Sequence, residues 1–596
     1  MTVERVEVSP KEVVLQDGGQ QQLIVTATLS DGRQEDITQQ VRYITNDSGV
    51  AEVSEKGVVQ AKKRGETNIL IRTPGHTLSA DVGVIEKPIA KYPKIEAHNI
   101  IDQDVFAKLR RFQILPSELS SDQEFLRRVC LDLTGTLPPP QRTREFVADK
   151  HPHKRDRLIE ILLNSPEYVD YWGFRFSDLL RVTFVTSNSI KGSKAYQDWI
   201  TNSFATDKPY DQMARERIAA QGYSAPARNF YYIEELTTPD VIMPELIRLF
   251  MGRRIECAQC HSHPFEAWSQ NQYWGLAAFF AGYSELRDSA LIIDVLGGGH
   301  VDQPKDMMVS HPRTKEKVVP AFLDGTQLPQ SQWMDPRMEL AKWITSHPYF
   351  AEATVNRTWS FFFGRGIVDP VDDFRSTNPP THPELLKALA KDFKDNGYNL
   401  KQLMRTIVQS RTYQLSATPN ESNKEDKIDY SHALARPLEA AVLLDAITSA
   451  TGVPEKFEFH RQAGGGDAPL GTRAIQTIAD ICPSQFMDDF GRSTRRALPA
   501  GPPQTNLLAA LHMMAGPAYN AKISSEGGRL SGLLKKGATD EQILDEFYLA
   551  ALMRFPTPEE KSELLKFLAK RSSRRQETLA GLVWSIINSR EFAHNH

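Results

Sequence analysis

The stretch "IECAQCHSHPFEAW", residues 255–268, carries the most specific chemical signal of the sequence. Within it, Cys257, Cys260 and His261 form the pattern Cys-x-x-Cys-His. In c-type haem attachment the two thiols of this pattern add across the haem vinyl groups, and the histidine becomes the proximal ligand of the iron. One helical turn brings Cys257 and Cys260 to the same side of the chain. The pattern therefore predicts a covalent haem c held by these three residues.

The same stretch allows a second interpretation, a metal site without haem. Two sulfurs and two imidazoles suit tetrahedral zinc, and His263 would be a ligand only in this case. Zinc sites usually draw their second pair of ligands from a distant segment, and the adjacent Cys260 and His261 would strain one compact centre. Haem c is therefore the favoured cofactor. Zinc or another metal is the alternative, and a cluster that binds nothing also stays open.

A haem iron held by His261 has a sixth position on its opposite face. His263 is too close to His261 along the chain to reach that face, so a ligand must come from elsewhere or the position is left to water. The candidate ligands are Met243, Met307, Met308, His300 and His311. Periodicity does not select among them.

A second group of titratable residues lies in "VDPVDDF" and "NPPTHPEL". Paired carboxylates with a histidine can supply acid and base catalysis on a glycosidic bond, so Asp372, Asp373 and His382 are candidate catalytic residues. The structural interpretation is favoured, because aspartates beside proline form turns and Thr381 with Glu384 has the spacing of a capping box. No nucleophile elbow, phosphate-binding loop or zinc-protease motif is present, so the sequence does not establish an enzyme.

The residues before the haem pattern predict the helix that positions it. In "PELIRLFMGRRIE" the side chains of Leu246 and Phe250 share one face, and the helix is expected to start at Pro244 and end at the pattern. Arg253 and Arg254 then lie on a solvated helix face or contact haem propionates. Aromatic residues after the pattern are expected in the core, or else around a macrocycle; they are Phe265, Trp268, Tyr273, Trp274, Phe279 and Phe280.

The N-terminal residues 1–88 follow a different periodicity from the rest of the chain. Apolar and polar residues alternate in "LIVTATLSDG", which ends at the turn dipeptide Asp31-Gly32. They also alternate in "VAEVSEKGVVQA", around the turn dipeptide Lys56-Gly57. This spacing predicts about seven short antiparallel strands in a β-sandwich. "EKPIAKYPKIEAH" has two prolines and no periodicity, which indicates a linker over residues 89–101.

The remaining chain has mainly helical patterns. We expect a helical domain at 102–285, a connector with short strands or turns at 286–333, and a second helical domain at 334–596. Ser121 and Ser165 are expected to cap helices, and Gly397 to end one. The Gly-rich stretches at 296–300 and 463–467 lack phosphate-loop spacing and indicate loops. The fold class is thus multidomain, all-β and then mainly α.

Composition excludes several classes of partner. The net charge of −4 and 24% charged residues do not indicate nucleic-acid binding, and no apolar run is long enough to span a membrane. The start "MTVERVEVSP" lacks the basic and apolar regions of a secretory signal, so the chain is either cytosolic or a mature form without its signal peptide. Cys130 and Cys482 are far apart in sequence and are expected to be buried thiols.

Longer segments resemble known families. Residues 1–88, notably "VAEVSEKGVVQAKKRGETNILI", resemble the bacterial immunoglobulin-like domain of surface and secreted proteins. "CAQCHSHPFEAWSQNQYWGLAAFFAG" and "FLRRVCLDLTGTLPPPQ" resemble the cytochrome-like module of secreted planctomycete proteins. "VNRTWSFFFGRGIVDPVDDFRSTNPPTHPELL" resembles the helical domain of unknown function that follows this module. Many proteins with this helical domain carry a cysteine-containing stretch after "FGR". The corresponding stretch here, "FGRSTRRALPAGPP", has no cysteine.

These resemblances imply a periplasmic or extracellular location, and such proteins are often encoded near polysaccharide-degrading enzymes. The sequence thus predicts an exported monohaem c-type protein with an electron-transfer or redox role and a redox partner protein. A link to polysaccharide, as a partner or through polysaccharide breakdown, is implied by the resemblance alone. The alternative is a haem-free helical protein that binds carbohydrate, acts as a scaffold or hydrolyses a polysaccharide, whose Cys and His cluster binds a metal or nothing.

Overall fold

A computed structural model of the chain shows an all-β region followed by a mainly α-helical region, which confirms the predicted fold class. It describes residues 2–596 without residues 74, 184–189, 221–225, 228–237, 264–265, 267, 282–307, 334–335, 461–464, 479–480, 496–497 and 499–506.

Ten strands, β1 to β10, lie in the N-terminal region, more than the expected number of about seven. Their bounds are Val3–Ser9, Glu12–Gln16, Gln20–Gln22, Ile24–Leu29, Gln34–Asp36, Arg42–Thr45, Ala51–Val53, Val58–Ala61, Gly65–Thr73 and His76–Ile85. The additional strands include β3 and β5, which contain only polar residues and so give no apolar alternation. Polar edge strands of this kind are invisible to a hydrophobic pattern.

These strands form three sheets with the orders β1-β4-β5, β2-β10-β9-β6 and β3-β8-β7. β2 pairs with β10 in parallel, so the prediction of purely antiparallel strands is wrong at this pair. Along β4 the side chains of Val25, Ala27 and Leu29 are buried in the sandwich core. Gly32 and Gly57 have φ of 83° and 77°, as expected for the two predicted turns.

Nine helices, α1 to α9, are described between residues 100 and 277. Their bounds are Ile100–Arg111, Asp122–Thr134, Pro140–Ala148, Lys154–Leu163, Pro166–Leu179, Ile190–Ala205, Tyr210–Ile218, Pro239–Met251 and Gln270–Ala277. The predicted caps of α2 and α5 are confirmed, because the Ser121 and Ser165 side chains accept hydrogen bonds from the amides of Glu124 and Tyr168.

Thirteen further helices, α10 to α22, are described from residue 336 onward. Their bounds are Pro336–Ser346, Pro348–Phe363, Pro383–Asp395, Leu400–Gln409, Ala440–Thr451, Gln485–Asp489, Leu507–Ala515, Pro517–Ser524, Arg529–Lys535, Asp540–Leu552, Pro558–Ala569, Arg575–Ile587 and Arg590–Ala593. Gly397 follows α12 with a φ of 65°, which confirms the predicted stop. Of the described helices, none is long and apolar enough to cross a membrane.

The predicted capping box before α12 is wrong. The residue that caps this helix is His382, it makes no side-chain capping hydrogen bond, and Pro383 occupies the first helical position. The Thr381 hydroxyl instead donates to the Ile367 carbonyl at 3.2 Å. A proline at the first position fixes the helical φ without a capping side chain, so the Thr-to-Glu spacing has no function here.

The described part of the connector contains a small hairpin. Val309–Ser310 pairs with Lys317–Val318, and Ala321 forms a bridge with Gln327. Short strands are therefore confirmed in this part of the connector, where Val309 pairs with Val318. The Gly-rich stretch at 296–300 lies outside the described residues. In the other stretch, Gly466 accepts a hydrogen bond from the Phe459 amide at 2.8 Å within a turn.

One continuous cluster of buried apolar side chains extends from Ile101 to Phe592 and includes residues from both helical regions. The sandwich has a core of its own. At the junction between sandwich and helices, Lys108 of α1 is buried and its ammonium group lies 2.8 Å from Glu66 of β9, from Asp429 and from the Thr381 carbonyl. This buried cation links the sandwich to the helical region.

Candidate functional site

Helix α8 delivers the chain to the Cys-x-x-Cys-His pattern. It begins at Pro239 and Pro244 lies inside it, so the predicted start at Pro244 is wrong. The helix ends at Met251, before the pattern begins at Cys257, so the predicted end at the pattern is also wrong. The residue that follows, Gly252, has a φ of 65°. A Cβ atom at this position would lie 2.8 Å from the Phe374 ring, so only glycine allows this close approach. The predicted inward residues of the helix, Leu246 and Phe250, are buried.

Cys257 lies on a short 3₁₀ helix, Glu256–Gln259, that follows a buried anchor at Ile255, and Cys260 caps the C-terminal end of this helix. Residues three apart eclipse each other in 3₁₀ geometry, and this spacing favours Cys257 and Cys260 on the same side of the turn. Both are exposed and neither forms a disulfide, whereas Ala258 between them is buried. The turn therefore presents a pair of free thiols to solvent.

His261 follows directly and is also exposed. Its Nδ1 lies 2.7 Å from the Ser262 carbonyl oxygen. A carbonyl can only accept, so Nδ1 must carry the proton and donate it, and in the neutral imidazole Nε2 then holds the lone pair. Metal-bound histidines commonly use this arrangement, in which one ring nitrogen donates to a carbonyl and the other binds the metal.

His263 has a different environment from His261. Its Nδ1 accepts a hydrogen bond from the Glu266 amide at 3.0 Å, its own amide donates to the Trp268 carbonyl, and its ring packs edge-on against the Trp268 ring. Burial lowers the pKa of His263. Across the described residues, no three His, Cys, Asp or Glu side chains are grouped so as to hold a metal ion. The four-ligand zinc set is thus not assembled in this arrangement.

Gln259, the second of the two residues between the cysteines, is held by neighbouring helices. Its side-chain amide donates to Asp240 Oδ2 of α8 at 2.9 Å. Its carbonyl accepts from Gln270 Nε2 at 2.8 Å and from Trp274 Nε1 at 3.2 Å, both on α9. The Tyr273 hydroxyl donates to the Asp240 carbonyl at 2.7 Å. These contacts join α8, the thiol turn and α9.

Two of the five candidates for a sixth haem ligand, His300 and Met307, lie outside the described residues. Met243 is fully buried in the core, and Met308 is half-buried. His311 is buried, and its Nδ1 accepts from the amides of Arg313 and Thr314 at 3.3 and 3.2 Å. In the neutral ring the proton of His311 is then on Nε2, so that nitrogen has no lone pair to offer.

The aromatic residues after the pattern mostly belong to the core. Tyr273, Trp274, Phe279 and Phe280 are buried, which confirms the favoured interpretation, and Trp268 is half-buried. Phe265 lies outside the described residues. The Trp274 ring lies 6.5 Å from the His311 ring.

Asp372 braces the base of the thiol turn. It is buried and forms ion pairs with Arg248 of α8 and with Arg254, whose Nη2 lies 2.6 Å from Asp372 Oδ1. Burial alone would raise the pKa of Asp372, but the hydrogen bonds and charges of the two arginines outweigh it and lower the pKa. Arg253 stacks on Tyr349, with its guanidinium carbon 3.8 Å from the ring centroid. Arg253 and Arg254 thus have partners inside the fold and follow the end of the helix, so the prediction of a solvated helix face is wrong.

The other two candidate catalytic residues have separate partners. Asp373 forms an ion pair with Arg375 at 3.2 Å. His382 is 1% exposed, with Nδ1 3.1 Å from the Thr381 hydroxyl and its ring against Tyr430. Burial, together with the charges of Lys108, Arg111 and Arg365, lowers the pKa of His382 well below its usual value. Asp372 and His382 thus contact different neighbours, and no contact joins them among the described interactions.

The sequence singles out the thiols and His261 but does not indicate the supporting roles of Asp240, Arg248 and Gln259. It indicates Tyr273 as a core residue and not as a hydrogen-bond donor to the Asp240 carbonyl. Pro244 was the sequence signal that could have indicated the contact at the Asp240 carbonyl. A proline within a helix leaves the carbonyl four residues earlier without its usual donor, which points to an outside donor for Asp240.

Three segments of the chain match models of protein families. Residues 2–71 match the "Bacterial Ig-like domain (group 2)". Residues 100–285 match PSCyt2, described as "Protein of unknown function (DUF1549)", and residues 336–568 match PSD1, described as "Protein of unknown function (DUF1553)". A comparison with curated proteins found no similar sequence. The chain thus has an Ig-like domain and two segments similar to families of unknown function.

Proposed function

We propose that the chain is an exported c-type haem protein that transfers electrons, with haem c attached to Cys257 and Cys260 and its iron bound by His261. The observation that carries the proposal is the combination on one exposed turn of two free thiols and an imidazole whose Nδ1 is committed to the Ser262 carbonyl. These donors fit haem c in number, chemistry and spacing. When bound, the haem supplies one-electron transfer.

Each of the three residues has a defined part. The thiols of Cys257 and Cys260 would anchor the group covalently. His261 would bind the iron through Nε2, and the Ser262 carbonyl, by accepting the hydrogen bond from Nδ1–H, would fix the tautomer and the ring orientation. The exposure of the turn supports electron exchange with a partner protein.

An exported location is part of the proposal. Thioether attachment takes place outside the cytosol, and the match to a bacterial Ig-like domain agrees with a periplasmic or extracellular protein. A link to polysaccharide breakdown rests on the sequence resemblance only, since Asp372 and His382 are occupied by contacts inside the fold.

The test is expression with an export signal alongside c-type maturation machinery, followed by intact mass and the reduced pyridine haemochrome spectrum. We expect a mass gain of one haem, lost in the Cys257→Ala, Cys260→Ala double variant. A Cys130→Ala, Cys482→Ala variant is the matched control and should keep the haem, because both thiols are buried elsewhere. Absence of haem while a control cytochrome is loaded in the same cells would overturn the proposal.

A further inference from the structure

We infer that Asp240, Gln259 and Tyr273 form a clamp that holds the Cys257–Cys260 turn in its thiol-presenting shape before any cofactor is bound. Asp240, Gln259 and Tyr273 are thus positioning residues for covalent attachment at the turn. The role of the clamp in attachment rests on the proposed function, whereas its role in shaping the turn does not.

The first part of the clamp is a consequence of Pro244. In a regular helix the amide of residue 244 would donate to the carbonyl of Asp240, but proline has no N–H. The Tyr273 hydroxyl occupies this carbonyl at 2.7 Å. Tyr273 is 1% exposed, so its hydroxyl depends on this bond in a region that water reaches poorly. The carbonyl that Pro244 leaves without a helical donor thus accepts a hydrogen bond that joins α8 to α9.

The second part holds Gln259 on two sides. Its side chain donates to Asp240 Oδ2, and its carbonyl receives donors from the side chains of Gln270 and Trp274. Gln270 and Trp274 are 9% and 8% exposed and belong to a well-packed helix. Gln259 is therefore fixed by three hydrogen bonds to side chains of α8 and α9.

A short 3₁₀ helix has little stability of its own, because its hydrogen-bond geometry is poor and few residues share the cost of forming it. The four-residue turn Glu256–Gln259 thus takes its shape from its surroundings. Without the clamp, the two thiols would sample a wider range of separations. The effective concentration of one thiol at the other should then fall.

This effective concentration is measurable in the haem-free protein by equilibration with glutathione. Oxidised glutathione accepts two electrons and two protons from Cys257 and Cys260, which yields one intramolecular disulfide and two molecules of reduced glutathione. A Cys130→Ala, Cys482→Ala background leaves only this pair. We expect Gln259→Ala to lower the effective concentration about fivefold, the equivalent of about one hydrogen bond.

An exchange of donor and acceptor tests the bond itself. Gln259→Glu alone places a second carboxylate opposite Asp240 and should lower the effective concentration further than Gln259→Ala. Combined with Asp240→Asn it restores one donor and one acceptor, and the value should return to within about twofold of the parent. Gln212→Ala, an exposed glutamine of α7 that donates to Glu216, is the matched control and should have no effect. Equal values for Gln259→Ala and the parent, or no recovery in the double exchange, would overturn the clamp.

Haem loading under the maturation conditions separates the clamp from the proposed function. If the parent takes no haem while Gln259→Ala still lowers the thiol effective concentration, the proposed function fails and the clamp stands. If the parent is loaded and Gln259→Ala is loaded to the same extent, the attachment role of the clamp fails. We expect loading of Gln259→Ala to fall at least threefold and to recover in the double exchange, in line with one lost and one restored hydrogen bond.

Discussion

Two stretches rich in polar and sulfur-containing side chains, "FLRRVCLDLTG" on α2 and "CAQCH" after α8, have opposite relations to the fold. On α2, Arg127 donates to the carbonyls of Ala551, Glu591, Phe592 and His594 at 2.7–3.1 Å. The other polar residues of this stretch are likewise buried. In the second stretch Cys257, Cys260 and His261 are exposed. The polar groups of the first stretch join distant segments of the fold. The thiols and the imidazole of the second stretch are exposed to solvent, where they can react or bind a ligand.

The difference shows how to separate structural from functional motifs in this chain. Asp132, for example, receives hydrogen bonds from Arg436, Tyr413 and Asn595, and so holds the C-terminal residues. A reactive side chain is a candidate for chemistry when the fold has not already used its hydrogen-bonding capacity. By this criterion the thiol turn is the candidate site of the described residues, and the ion pairs of Asp372 belong to the structure.

The largest effect in this comparison is expected at Arg127. Arg127→Met leaves several buried carbonyls without a charged donor and should destabilise the helical region by about 4 kcal/mol, since each unpaired buried group costs about 1–3 kcal/mol. The urea midpoint of the helical region, followed by tryptophan fluorescence, measures this. Arg574→Met, at an exposed position, is the control and should change stability by less than about 0.5 kcal/mol. A shift as small as that of the control would mean that the α2 stretch does not hold the C terminus.

Local elements were predictable from the sequence because their causes are local. Ser121 and Ser165 cap their helices, and Gly32 and Gly57 form turns, through neighbours within a few residues. The thiol pair was predictable for the same reason, since its spacing alone places both side chains on one side. The all-β and then mainly α order follows from the change in hydrophobic period.

The supporting contacts were not predictable because they join residues distant in sequence. Asp372 contacts Arg248 and Arg254 across more than a hundred residues, and no periodicity links the two segments. Paired aspartates beside a proline look the same whether they face a substrate or an arginine. Only the packing of the connecting helices decides between a catalytic pair and a brace.

A somewhat smaller effect is expected for thiol reactivity in the haem-free protein. Cys257 and Cys260 should react with a maleimide in the native state at least about 100-fold faster than Cys130 and Cys482, which must wait for local opening. Burial also raises the pKa of Cys130 to about 12, so little thiolate is present there. Mass spectrometry of labelled peptides over time gives the four rates. Labelling of Cys130 as fast as that of Cys257 and Cys260 would contradict the assignment of a buried α2 stretch and an exposed thiol turn.

Asp372→Asn distinguishes a brace from a catalytic carboxylate. Loss of the charge that pairs with Arg248 and Arg254 should cost about 2 kcal/mol at pH 7, less than a fully buried pair because Arg254 is partly exposed. Since the pKa of Asp372 is lowered in the fold, its contribution is complete above its unfolded pKa of about 4 and is lost as the pH falls through the folded value. The stabilities of parent and variant should therefore converge in acid. A constant difference down to pH 3 would contradict the ion-pair account.

The smallest effect is expected at His382 and follows from its burial. Because the pKa of His382 is lowered well below 6.5, the unfolded chain binds a proton below about pH 6.5 that the folded protein does not. Stability should then fall with decreasing pH by up to about 1.4 kcal/mol per pH unit from this group alone. His382→Leu removes this contribution, so between pH 7.5 and pH 6 the variant should lose about 0.8 kcal/mol less stability than the parent, with parallel behaviour above pH 7.5. Urea midpoints across this range measure the slope, and identical slopes would show that His382 accepts a proton in the folded state, as a catalytic histidine must and a core histidine does not.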